Sequence, residues 1–142
     1  MKTVAQIMQS KGGSVWTVDP DATVFEALSM MADKGVGALV VTDAGKLCGI
    51  ISERDYARKV ILLDRDSRET TVSEIMTSKV LVVSPATSTD ECMALMTDKR
   101  IRHLPVLEGE DLLGLVSIGD IVRAKISEQQ FIINELERYI TG

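Results

Sequence analysis

Apolar and polar positions fall along this chain in short blocks, and the order of the blocks is repeated. Val15-Trp16-Thr17-Val18 and Val80-Leu81-Val82-Val83 are rich in β-favouring residues, and each is closed two residues later by a proline, Pro20 or Pro85, that cannot continue a ladder. Each predicts an opening strand. Thr23-Val24-Phe25-Glu26 and Ser88-Thr89-Asp90-Glu91 place a hydroxyl at an N-cap and a glutamate three residues on, so each predicts a helix start. Val24, Leu28 and Met31 form the apolar stripe of the first helix, which should stop near Gly35. Ala38 to Thr42 and Leu47 to Ile51 read as strands around the turn Asp43-Ala44-Gly45-Lys46, and Glu108-Gly109-Glu110-Asp111 is the matching turn downstream. Further helices are expected from Ser52 and from Ser117. The segment from Ser127 to Ile140 carries Phe131, Ile132, Leu136, Tyr139 and Ile140 in a broad stripe and predicts a C-terminal amphipathic helix.

Displacing the sequence by 65 residues aligns Val18–Val60 with Val83–Lys125 without a gap and gives 13 identities in 43 positions. Thr3-Val4-Ala5-Gln6-Ile7-Met8 mirrors Thr71-Val72-Ser73-Glu74-Ile75-Met76 at a spacing of 68, the difference being absorbed near Gly12-Gly13-Ser14. The chain therefore reads as two βαββα repeats, residues 1–67 and 68–142, the second including the C-terminal helix. The fold class is α+β. A unit of about sixty residues buries little apolar surface. The copies are expected to pack sheet to sheet about a pseudo-two-fold axis, leaving two symmetric clefts for a ligand.

Charge narrows the partners. Sixteen basic and twenty-one acidic side chains give a net charge of −5, which opposes attraction to a phosphate backbone, and aromatics at 4% provide no stacking platform, so nucleic acid is not expected. Apolar runs fall far short of the ~18 residues of a membrane span, and no secretory signal is visible, which makes the cytoplasm the expected location. Cys48 and Cys92 align with Leu113 and Ala27, lack metal-type spacing and read as buried thiols. One histidine, with no nucleophile elbow, P-loop or metal-ligand cluster, argues against an enzyme.

The runs Gly49-Ile50-Ile51-Ser52-Glu53-Arg54-Asp55 and Gly114-Leu115-Val116-Ser117-Ile118-Gly119-Asp120 resemble the CBS signature of glycine, two apolar residues, Ser or Thr, two variable residues and Asp. Arg102-His103-Leu104-Pro105-Val106 is similar to the strand that opens the hairpin in that family. The resemblance covers nearly the whole chain and implies a tandem CBS pair, or Bateman module, with two adenosine clefts. It implies that apolar strand residues sandwich adenine, that the hydroxyl and the Asp hold ribose, and that basic residues near the hairpin strand meet phosphate. Ligand residues so implied are Thr17, Gly37, Ala38, Leu39, Ile50, Ser52, Arg54 and Asp55 in the first copy. In the second they are Arg102, His103, Pro105, Leu115, Ser117 and Asp120. The implied ligands are AMP, ADP or ATP, with NAD and S-adenosylmethionine as further candidates. No catalytic cofactor or metal is implied; a homodimer and a downstream protein partner are.

An ionised Asp accepts hydrogen bonds from both cis hydroxyls of a ribose, each worth roughly 1.5–3 kcal/mol when desolvated. Ser-x-x-Asp at a helix start is equally a capping box. Two observations favour binding: Asp recurs where the other capping boxes use Glu, and a glycine precedes the serine by three residues in both copies. The two clefts are inequivalent, because Gly37-Ala38 stands where the second copy has Arg102-His103, and Gly119 stands where the first has Arg54. Trp16 aligns with Leu81 and is expected to pack in the core. The leading expectation is a regulatory nucleotide sensor. The alternative is a scaffold that only dimerises.

Overall fold

The computed structural model describes residues 2–12 and 15–141. Its elements are α1 (Val4–Lys11), β1 (Thr17–Val18), α2 (Val24–Lys34), β2 (Ala38–Asp43), β3 (Lys46–Ser52), α3 (Glu53–Tyr56) running into a π-helical turn (Ala57–Ile61), α4 (Val72–Ile75), α5 (Thr89–Lys99), β4 (His103–Glu108), β5 (Asp111–Ser117) and α6 (Ile118–Thr141). Helix, hairpin and helix thus follow one another twice, as the repeat predicts. The chain divides into two compact units, one of Met1–Gly13, Val82–Gly109 and Leu113–Gly142, the other of Ser14–Leu81 and Glu110–Leu112.

The boundary at 67/68 marks the sequence repeats, whereas packing groups the leading helices differently. In the unit that holds β4, Val4 and Ile7 of α1 join Cys92, Met96, Leu104, Val106, Val116 and Ile121 in one core. Backbone bonds of 2.9 Å from Val4 to the Thr87 carbonyl and from Ala5 to the Pro85 carbonyl fix the helix there. In the unit that holds β1–β3, Val72 and Ile75 of α4 complete the core of Val18, Val24, Ala27, Met31, Leu39, Val41 and Ile51. The shared Thr-Val-x-x-Ile-Met pattern explains both: its Val and Ile stand three residues apart and lie on one helical face.

Local chemistry sets the element ends. The Thr23 hydroxyl accepts from Glu26 N–H at 3.1 Å, and α2 stops at Gly35, whose φ of +67° is left-handed. β1 runs parallel to β2, and β2 pairs antiparallel with β3, with Ala38 opposite Ser52, Leu39 opposite Ile51 and Val40 opposite Ile50. Ala44 and Gly45 both have positive φ, the geometry of a tight two-residue hairpin.

Several expectations change. The opening strands shrink to Thr17–Val18 and, in the second copy, to a single bridge between Val83 and Val106, since Pro20 and Pro85 cut the ladder short. Trp16 is not a core residue: it is 39% exposed, with the Lys34 ammonium 4.4 Å over its ring. Cys92 is buried, but Cys48 is only half-buried, at the register shift of β2 and β3. The helix from Ser117 and the C-terminal helix are one 24-residue element, because nothing after Gly119 breaks the pattern. In the turn expected at Gly12-Gly13-Ser14, Gly13 and Ser14 lie outside the described residues. No described helix is long and apolar enough to cross a membrane.

Candidate functional site

Strand register decides which expected residues can face a ligand. Leu39 and Ile51 oppose one another and both enter the core, so the period of two puts Ala38, Val40, Ile50 and Ser52 on the other face, with Thr17 beside Val40. Leu39 is therefore withdrawn from the ligand residues. The alternation puts Val40 on the face of Ala38 and Ile50, where it too is fully buried. In the second copy Leu104, Val106 and Val116 fill the core, which leaves His103, Pro105, Leu115 and Ser117 on the equivalent face.

One backbone bond in each unit ties the hairpin to the signature helix. Glu53 N–H donates to the Gly37 carbonyl at 3.1 Å, and Ile118 N–H donates to the Arg102 carbonyl at 2.8 Å. Residues 37–38 are thereby held beside the turn of Ser52 and Asp55, and residues 102–103 beside that of Ser117 and Asp120. Arg54 and Arg102 are exposed.

Both signature turns are formed capping boxes. Asp55 Oδ2 accepts from the backbone N–H and the hydroxyl of Ser52 at 2.9 and 3.1 Å, and the Ser52 hydroxyl accepts from Asp55 N–H at 3.3 Å. Asp120 Oδ2 accepts from Ser117 N–H at 2.8 Å, with the return bond to the Ser117 hydroxyl at 3.1 Å. Capping and ligand binding are compatible, since an ionised carboxylate offers about four acceptor positions.

The cations around the two carboxylates come from different elements. Lys59, one turn along from Asp55, lies 3.3 Å from Asp55 Oδ1 and donates to the Ile75 carbonyl at 2.8 Å. The second copy has Ala124 at that position. There Lys11, at the end of α1, donates to Asp120 Oδ2 at 2.8 Å and to the Leu115 carbonyl at 2.6 Å. Arg123 adds a 2.7 Å bond to Asp120 Oδ1. Asp120 is 7% exposed. Burial acts to raise its carboxyl pKa, but the bonds from Lys11 and Ser117 outweigh this and hold it below the ordinary value.

His103 moves the opposite way to a charge-supplying role. Burial, then the Lys11 charge, lowers its imidazole pKa against the pull of Asp120, with Arg102 adding to the lowering. At neutral pH it offers a hydrogen bond and no charge. Lys11, Arg123 and Lys59 were not singled out by the sequence reading. A signal existed: Ile7-Met8-Gln9-Ser10-Lys11 and Ile75-Met76-Thr77-Ser78-Lys79 extend the upstream repeat, and Arg123 matches Arg58. A hollow of about 300 Å³ opens beside Asp120, bordered by Lys2, Ser10, Lys11, Arg123 and Ser127 among others.

Known proteins match this arrangement along most of the chain. The CBS domain family profile matches residues 4–62 and 72–127. The CBS domain-containing protein CBSX3, mitochondrial, of Arabidopsis thaliana is 44% identical over 150 residues, covering 99% of this chain and 72% of that protein. A solved CBS-domain structure from Burkholderia ambifaria superposes with a TM-score of 0.86 at 53% identity, over 90% of this chain and 96% of that one. The CBS domain pair of protein MJ0100, solved in complex with 5′-methylthioadenosine and S-adenosylmethionine, superposes with a TM-score of 0.80 at 25% identity, over 90% and 98% of the two chains. With both repeats matched and both signature turns formed, this chain belongs to the CBS domain family.

Proposed function

We propose that the chain is a regulatory module, not a catalyst, that binds adenosine-containing ligands at its signature turns and passes their occupancy to a partner protein. The ligands proposed are AMP, ADP and ATP, with NAD and S-adenosylmethionine as further candidates; the MJ0100 pair supports the adenosyl part of this reading. The observation that carries it is the pairing, in both units, of a half-buried or buried carboxylate on a helix start with a strand face of small and apolar side chains. Asp55 and Asp120 would accept from ribose hydroxyls, Ala38, Ile50, Pro105 and Leu115 would flank the base, and Arg54, Arg102 and His103 would stand towards the phosphate side. A cytoplasmic location is part of this reading, with both cysteines free thiols.

A thermal-shift panel of AMP, ADP, ATP, NAD, S-adenosylmethionine and 5′-methylthioadenosine tests it. Ligand at a hundred times its Kd adds roughly 2.7 kcal/mol of stability, a rise of several degrees. No rise with any compound would overturn the sensor reading in favour of a scaffold.

The partner proposed for α6 is a second copy of this chain. Val122, Ile126, Gln129, Ile133, Leu136 and Ile140 recur at alternating steps of four and three, and all are exposed. Ile126, Ile133 and Ile140 fall at one seam position and Val122, Gln129 and Leu136 at the other, and β-branched residues at the first suit pairing with a second, parallel copy.

A further inference from the structure

Each signature carboxylate is held by an ammonium that is itself held by the backbone. Lys11 bonds both Asp120 Oδ2 and the Leu115 carbonyl of β5, while Lys59 lies against Asp55 Oδ1 and donates to the Ile75 carbonyl that ends α4. The two lysines are not counterparts in the repeat. Ala124 stands at the position of Lys59, and Lys79, the counterpart of Lys11, is exposed. The same arrangement is thus reached from two unrelated positions, one on the leading helix of its unit and one on the turn that continues the signature helix. Pair energy does not explain it, since ion pairs whose lysines are 38% and 43% exposed contribute little stability. What a braced ammonium supplies is geometry.

Both carboxylates are presented alike. Asp55 Oδ2 is filled by the N–H and the hydroxyl of Ser52, and Asp120 Oδ2 by Ser117 N–H and Lys11, which takes the place of the serine hydroxyl. Arg123 on Asp120 Oδ1 is largely exposed and exchanges readily with water, so Oδ1 of each carboxylate keeps two lone pairs for the hydroxyls of a ribose. A carboxylate free to turn would have to be ordered by its ligand; one pinned beforehand is spared that cost.

We propose that Lys11 and Lys59 are positioning residues for ribose binding: each, braced on a backbone carbonyl, fixes its signature carboxylate so that Oδ1 meets the hydroxyls, and neither touches the ligand. The proposal rests on the adenosine reading above and adds the residues that set the geometry of its two carboxylates.

Adenosine is the probe, because it carries the ribose and has no phosphate for a lysine to meet. It is titrated into the full chain labelled with 15N, the backbone amides of the two signature turns reporting each site separately by NMR. Lys11→Met is expected to weaken the Asp120 site by about two- to tenfold, the worth of ordering one side chain, and to spare the Asp55 site. Lys59→Met should do the reverse, and arginine at either position should return most of the affinity. In an Asp120→Asn background Lys11→Met should cost nothing further, since a residue that acts only through the carboxylate has no effect once the carboxylate is gone. Full affinity in Lys11→Met and Lys59→Met, or a Lys11→Met loss that persists beside Asp120→Asn, would overturn the positioning role while leaving adenosine binding intact. Wild-type amides that do not move with adenosine at all would remove the underlying reading as well.

Discussion

Gly49 and Gly114 stand three residues ahead of the serine in each signature turn, and packing explains them. A Cβ on Gly49 would lie 2.5 Å from Met76 Sδ and 3.0 Å from the Thr77 carbonyl oxygen, while one on Gly114 would meet only the thioether end of Met8. Thr77 is held by reciprocal backbone bonds with Ile50 at 2.9 and 3.0 Å, so its carbonyl cannot retreat. Gly49→Ala is expected to lower stability by about 1–3 kcal/mol, and Gly114→Ala by less, because a methionine end can swing aside. Urea denaturation of the two variants checks this; an equal loss, or the reverse order, would show that the leading helices do not press on these strands. The glycines thus mark a close approach of helix to strand, and the sequence reading, which took them as a sign of binding, saw the position but not its cause. Asp55 and Asp120 were legible because type and spacing recur. Lys11 was not, since it lies 109 residues from Asp120 and no local pattern joins them.

Among the elements, the two signature helices diverge most. From Ala57 the first takes a π turn, which inserts a residue, brings Val60 into the core and leaves Lys59 to bridge Asp55 and α4. The second runs straight on for 24 residues, about 36 Å. The sequence predicted helices from Ser52 and from Ser117 but carries no signal for the inserted residue, and it gave the stretch from Ser127 to Ile140 a helix of its own where one helix is continuous. Beyond Ala124 the apolar side chains of α6 are exposed, Ile133 at 47% and Leu136 at 57%. If these form a parallel seam with a second copy, Leu136→Asp should convert a dimer to a monomer in analytical ultracentrifugation without changing AMP affinity. A wild-type monomer, or a dimer that persists in the variant, would exclude that seam.

At the scale of the molecule the repeat was the most legible feature, because strand, helix, hairpin and helix each carry their own start and stop signals and all recur. The grouping of α1 with the second repeat's strands and α4 with the first's was not legible. Thr3–Met8 and Thr71–Met76 carry the same apolar pattern, so either core accepts either helix on pattern alone. This grouping is what brings Lys11 to Asp120.

The claim on which the account stands is that the two signature carboxylates hold the ribose of an adenosine ligand. Isothermal titration of AMP into the wild-type chain, Asp55→Asn and Asp120→Asn tests it directly, since asparagine keeps the cap and removes the charge. The account predicts that each variant loses about tenfold or more in affinity at its own site while still melting cooperatively. Undiminished affinity at both sites in the two variants would contradict it.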